Sequence, residues 1–223
     1  MKPALFIFIL LPHLLVAQPW HRVERSNILP VDSIVIYYRT IEIDGVDFLE
    51  FKGETYINSS LTSLASVLRD VDAMHEWMNN VDSASVEIIN EKERYTYFIH
   101  EPIGFFFKQR DSYIFSDISQ NPKNLVVEIN GEHAPDRGPR NNKFVRIEGG
   151  KSQWKFIPIA TKRTKVIFQG YADPGGWVSP SVVLWLAKNE VWKLPYESLR
   201  NLKNQVRKAK YKNVEYLSIK NYE

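Results

Sequence analysis

From Ser85 to Ala172 the chain is a succession of β-rich runs separated by polar or Gly/Pro-rich breaks, and one long helical pattern follows them. The runs lie at 86–90, 95–100, 111–116, 125–130, 143–157 and 165–172, with breaks that include 135–139 and Gly149–Gly150. Consecutive strands with short connections can pair only as neighbours, so this order predicts an antiparallel meander. Pro174, Gly175 and Gly176 end it, and a helical pattern then runs from about 179 to 210, with Pro195 placed to kink or divide it. Upstream, strands are expected at 33–40 and 48–57 around an Asp44–Gly45 turn. Asn58, Ser59 and Ser60 then supply caps for a helix whose Leu61, Leu64, Val67 and Leu68 share one face. A second short helix is expected over 72–79, burying Met74 and Trp77. The sum is an α+β chain of about seven to nine strands, in which a curved sheet must cover its concave face and the last helix is the element able to do so.

Residues 1–17 begin Met1-Lys2 and continue as an apolar run from Ala4 to Ala17, interrupted only by Pro12 and His13. That is the plan of a signal peptide and too short a run to span a bilayer, so an exported protein, periplasmic or secreted, is expected with its mature part at 18–223. Disulfides are common outside the cytoplasm, yet the chain has no Cys, so packing alone must hold it together. A thiol nucleophile and a thiolate metal site are excluded for the same reason. With 29 basic and 26 acidic residues the net charge is +3, which lacks the footprint of a nucleic-acid binder. The 223 residues show neither an internal repeat nor a linker, and one domain is expected, as a monomer.

Several landmarks keep the order and spacing of a known family. They are Leu64, Val67, Leu68 and Asp70 followed by Met74-His75-Glu76-Trp77, then 98–102, then Arg110-Asp111. Val145-Arg146, 150–154 with Pro158, and Tyr171-Ala172-Asp173-Pro174-Gly175-Gly176-Trp177 complete the set. On these residues the chain resembles the START family of lipid-transfer domains, in a bacterial exported form, over nearly all of 18–223. The resemblance implies a helix-grip fold: a curved antiparallel sheet wrapped around a long C-terminal helix, with an internal hydrophobic cavity for a lipid or other apolar ligand. It also implies no cofactor and no catalysis. Sterol-binding members pair a cavity carboxylate, matched here by Glu101, with an Arg six residues beyond the Arg-Asp landmark. This chain has Ser116 at that place, which argues against direct transfer of sterol specificity.

The ligand-binding candidates are Glu101, Arg110, Arg146, Trp154, Trp185, Asn189 and Trp192. Glu101 ends one strand and Arg110 opens the next, so a hairpin would let them pair, either as a brace for the sheet or as a hold on a ligand head group. Arg146, between Val145 and Ile147, is either a second buried cation or a solvated outward residue. Trp185, Asn189 and Trp192 fall on one stripe of the last helix, together with Val182, Leu186, Tyr196 and Leu199. Asn189 stands out there, because an amide facing a cavity needs a partner. Phe105, Phe106 and Phe107 sit on a short connection and cannot all face one core, so they are read either as a lid making transient membrane contact or as a buried strand extension. The basic end of that helix (Arg200, Lys203, Arg207, Lys208, Lys210, Lys212) fits anionic head groups or a solvated helix terminus complementing the dipole. The five His show no metal spacing, and no nucleophile elbow or phosphate loop is present. Three functions remain open: a non-enzymatic carrier or sensor of a hydrophobic ligand, a cyclase or hydrolase using Glu101, His100 or Arg110, and an interaction protein with a filled core.

Overall fold

The computed structural model describes residues 18–24, 33–102, 108–173, 175–176, 192–215 and 219–223. The expected signal segment, the Phe105–Phe107 loop, and Trp185 and Asn189 lie outside these residues.

Among the described residues ten strands form one sheet: β1 (His21–Arg22), β2 (Val35–Ile43), β3 (Val46–Ile57), β4 (Val81–Ile88), β5 (Glu93–His100), β6 (Arg110–Gln120), β7 (Val127–His133), β8 (Val145–Arg146), β9 (Gly149–Ala160) and β10 (Arg163–Asp173). Their spatial order is β1-β2-β3-β10-β9-β7-β6-β5-β4, antiparallel throughout, with β8 set parallel against β6. From β4 to β10 this is close to the expected meander. The step the local pattern does not contain is the return of β10 beside β3, which joins the first hairpin to the last strand. The β2–β3 turn is Asp44-Gly45 as expected, both with positive φ (52° and 78°), as the tight turns that suit strand twist require.

Helix α1 (Leu61–Arg69) starts at Ser60, whose hydroxyl accepts from the Ser63 N–H, and buries Leu61, Leu64, Val67 and Leu68. Its last carbonyls, of Leu68 and Arg69, accept from the guanidinium of Arg94 on β5. The second short helix is a 3-10 segment, Val71–Glu76, rather than 72–79, with Met74 and Trp77 buried as expected.

Most strand ends shift by a few residues, and two runs differ more. The run at 86–90 is the end of β4, because the Asn90 side chain accepts from the Lys92 and Glu93 N–H groups and turns the chain there. The run at 143–157 divides into β8 and β9 across Ile147 and Glu148, since Gly150, with φ of 143°, sets a new strand direction.

Helix α2 (Lys193–Gln205) carries Pro195 in its first turn, where a missing N–H breaks no intrahelical bond. Residues 179–191 of the expected helix are outside the described set. Leu199, Leu202 and Val206 are buried against the sheet, and the chain beyond is held by Lys208–Glu76 (2.7 Å) and Lys210–Asp70 (2.6 Å). At least these two cations of the basic end therefore face carboxylates of the 3-10 region.

Alternation along the strands gives the concave face Ile36, Phe51, Gly53, Thr55, Val166, Phe168, Trp154, Phe156, Val127 and Ile129, all of which are buried. Gly53 is where α2 meets the sheet: a Cβ there would stand 2.7 Å from Leu199 Cδ1 and 3.1 Å from Pro195 Cβ. Gly53→Ala is therefore expected to cost about 1–3 kcal/mol through overpacking, read as a lowered midpoint in thermal unfolding. A midpoint equal to wild type would mean that α2 slides without cost.

Candidate functional site

The concave face is apolar at one end and polar at the other. At the apolar end Trp154 stacks on Phe168 (centroids 4.0 Å, 7° between planes). Phe168 meets Phe51 edge-on at 5.0 Å, and Trp77 meets Trp154 edge-on at 6.0 Å. These contacts explain why Trp154 is buried in the described structure. Trp192 is also buried and packs on Tyr196 at the start of α2.

The polar end is built by three strands. Position 133 of β7 follows Val127, Ile129 and Gly131 on the inward side, so His133 points to the concave face between Ile114 and Gly150. On β5, His100 shares that face with Phe98, on which it stacks, and its neighbours on β6 are Arg110 and Ser112. His100 Nδ1 lies 3.3 Å from the Asn80 carbonyl, which can only accept, so the ring proton is on Nδ1. Nε2 then accepts the hydroxyl proton of Ser112 at 2.9 Å. Burial pushes both histidines down to about 4: His100 despite the Asn80 carbonyl, and His133 with a further push from His100. Two neutral imidazoles thus line this end at physiological pH.

Two enclosed polar atoms have no hydrogen-bond partner among the described residues: His133 Nδ1 and Trp77 Nε1. A buried donor or acceptor left unmade costs about 1–3 kcal/mol, so a pair of them in the same interior calls for a reason.

The buried ion pair is not the expected Glu101–Arg110 pair. It is Asp111–Arg146, and it lies on the convex side, because Asp111 is one residue out of phase with Arg110 and Ser112. Arg146 gives Nε and Nη2 to the two Asp111 oxygens (3.0 and 2.9 Å). Its remaining N–H groups go to the carbonyls of Pro135, Arg137 and Pro139 (2.8–3.2 Å). All five guanidinium protons are therefore committed to the protein, and Arg146 has none to offer a ligand. Asp111 also accepts from Tyr97 Oη at 3.1 Å, and its hydrogen bonds raise the Arg146 pKa above the usual value. Gly175 seals the clamp: with φ of 66° it lies against the Arg146 carbonyl, where no side chain fits. Glu101 is exposed at the end of β5, and its N–H donates to the Asn80 carbonyl. Arg110 is buried on the concave face beside His100, with its charge penalised by burial, and donates to the Lys108 carbonyl at 3.2 Å.

Of the expected ligand residues, Arg110 and Trp154 stand on the inner face, Trp192 is buried at the start of α2, Glu101 is exposed and Arg146 is structural. Ser112, His133 and His100 were absent from that set, His100 being named only as an acid-base group of the enzyme alternative. The period-two row Val127, Ile129, Gly131, His133 carries a signal that would have found His133. Chemically, Ser112 and His100 have the spacing of a nucleophile and its base. However, a base held near 4, oriented by a neutral carbonyl, has little tendency to keep a serine proton.

The family model described as START domain matches residues 20–208. No protein of curated function matches the sequence. The fold is similar to the STAR-related lipid transfer protein of Xanthomonas axonopodis, with TM-score 0.72 and 25% identity over 85% of this chain and 99% of that one. It is also similar to human StAR-related lipid transfer protein 5 (TM-score 0.68, 15% identity, 84% and 86% covered). A looser likeness joins it to the Zhui aromatase/cyclase of Streptomyces sp. R1128 (TM-score 0.53, 9% identity, 70% and 92% covered). An antiparallel sheet with a buried aromatic inner face and a C-terminal helix packed on it, matched by one family model over most of the length, shows that this chain belongs to the START domain family.

Proposed function

We propose that the protein binds a lipid or similar apolar molecule against its concave face and carries or presents it without chemical change, outside the cytoplasm. The observation that carries this reading is the pair of enclosed, partnerless atoms on the concave side, Trp77 Nε1 at its aromatic end and His133 Nδ1 at its polar end. A ligand that brings a hydrogen-bonding group to such an interior removes a penalty the free protein bears. The lipid-transfer relatives support the ligand class, and the low basicity of His100 supports a role without catalysis. Export is supported by the apolar run from Ala4 to Ala17, and the Phe105–Phe107 loop is retained as a site of transient membrane contact.

The test is to purify the protein from its native host without detergent, extract it with organic solvent and identify what is released by mass spectrometry. A stoichiometric lipid is the expected result. Reproducible absence of any apolar molecule would overturn the carrier reading. An enzyme is the second reading, favoured by the Ser112–His100 pair and the cyclase-like fold relative. It would be established by turnover of an apolar substrate that disappears in His100→Asn.

A further inference from the structure

The sheet is open at one side. β4 is its terminal strand, and among the described residues no strand lies beyond it. Exposed apolar side chains gather on this strand and its turn: Val86 is 41% exposed, Ile88 65% and Ile89 48%. The stretch 81–88 contains neither Lys nor Pro, and the irregularity that could blunt it falls between Val81 and Ser83, short of the apolar part. Natural proteins protect free edges with such devices or with charges; the two charges here, Asp82 and Glu87, are held by Gln109 and Arg137, and Glu87 is out of phase with Val86 and Ile88, so the apolar row stays uncovered.

The backbone on this edge is oriented for pairing. The Ile89 N–H donates to the Glu93 carbonyl, and Ile88, Glu87 and Val86 stand opposite Arg94, Tyr95 and Thr96. Antiparallel ladders alternate, so positions 89, 87 and 85 bond to β5 while Ala84, Val86 and Ile88 turn their N–H and C=O groups outward. Those same three residues carry their side chains on the concave side, level with Thr96 and Phe98. The groove there is lined by Val86, Ile88, Ile118 and Ile129 among others.

We infer that two copies of this chain pair antiparallel through β4 about a two-fold axis at Val86. In that register Val86 faces Val86 of the second copy, Ala84 faces Ile88, and Ser85 faces Glu87. The apolar row is continuous across the seam, no like charges stand opposite, and the outward N–H and C=O groups of Val86 find each other. An axis at Glu87 would oppose two glutamates, and one at Ser85 would set Ile88 against Asp82. An axis at Ile88 would set Val86 against Asn90, and one at Ala84 would set Val86 against Asp82; of the axes from Ala84 to Ile88, only that at Val86 keeps the apolar row continuous with no like charges opposed, and the dimer is one continuous sheet of twice the width. This replaces the monomer expected from sequence and is independent of what the concave face binds.

The chain has no Cys, so a single introduced thiol reports the register without background. Directly opposed residues of a hydrogen-bonded pair have Cα atoms about 5.5 Å apart, within disulfide reach. Val86→Cys is thus expected to convert largely to a disulfide-linked dimer under mild oxidation. In Ile88→Cys the two thiols are offset by four residues, roughly 13 Å along the strands, and that variant is expected to stay uncrosslinked. The wild-type protein should sediment as a dimer at about 100 μM, and Val86→Lys as a monomer with an unchanged circular dichroism spectrum. Equal crosslinking of the two cysteine variants, or a wild type that sediments as a monomer, overturns the proposal. If Val86→Lys fails to fold, the cysteine pair, which stays close to the native apolar size, still decides it.

Discussion

Asp111→Ala is expected to destabilise the protein by about 3–5 kcal/mol, the largest single-residue effect available outside the aromatic core. Asp111 is buried and its two oxygens hold Arg146 from both sides (2.9 and 3.0 Å). Its removal leaves a guanidinium that three backbone carbonyls can still solvate but that no longer has a counter-charge. The 134–140 loop is organised around that guanidinium, so it is expected to loosen first. Asp111→Asn, which keeps acceptor capacity and loses the charge, should cost less. Exchanging both partners for apolar residues of similar size should recover much of the loss, because the pair's desolvation cost disappears with it. Urea unfolding at pH 7 measures all three, and a loss below about 1 kcal/mol in Asp111→Ala would show that water replaces the carboxylate. Because the clamp sits on the convex side, ligand retained per folded molecule should not change.

Acidification is expected to produce the second large effect, a steep loss of stability between pH 6.5 and 4. His100 and His133 are held near 4 in the folded chain, while in the unfolded chain they titrate near 6.5. Above pH 6.5 both states carry neutral imidazoles, and the histidines contribute no slope. Below it the unfolded state takes up protons that the folded state refuses, so stability falls with pH and levels off once the folded groups titrate. For His100 the loss over this window is about 3 kcal/mol, and His133 adds to it less than independently because the two rings repel each other's charge. Burial is the largest influence on His100 and outweighs the Asn80 carbonyl and the Asp111 charge, both of which favour the protonated ring, while Arg110 on the inner face adds a smaller push against it. The carboxylates with lowered values, Asp70, Glu54, Glu148 and Glu76, act at lower pH, so the window belongs to the histidines. Denaturant midpoints at half-unit pH steps should show the slope, and His133→Leu combined with His100→Asn should flatten it. A double variant with the wild-type slope would remove the histidines from the explanation.

Much of the fold is legible in the sequence because its causes are local. The period-two runs placed six strands to within a few residues, the Ser60 cap and the 3.6-residue pattern of Leu61, Leu64, Val67 and Leu68 placed α1, and Asp44-Gly45 placed the first hairpin. Boundaries moved where a side chain overrode propensity. Asn90 ends β4 by bonding the backbone ahead of it, and Gly150 allows a conformation that separates β8 from β9.

The site was less legible, since burial of a charge depends on which face a residue occupies and on what stands opposite, and a one-residue change of phase reverses both. Arg110 and Asp111 are adjacent in sequence and lie on opposite faces, so the pairing imagined for Arg110 belongs to its neighbour, with a partner 35 residues away. By itself the sequence determined the strand succession, the caps and turns, the absence of thiol chemistry and the family, because each rests on residue type and spacing along the chain. Only the tertiary structure decided that β10 returns to β3, that Asp111 rather than Glu101 neutralises a buried arginine, that His100, His133 and Ser112 meet on one inner face, and that β4 has β5 on one side and, among the described residues, no strand on the other. Those outcomes are set by non-local register and by the desolvation of charge, which no window of sequence contains.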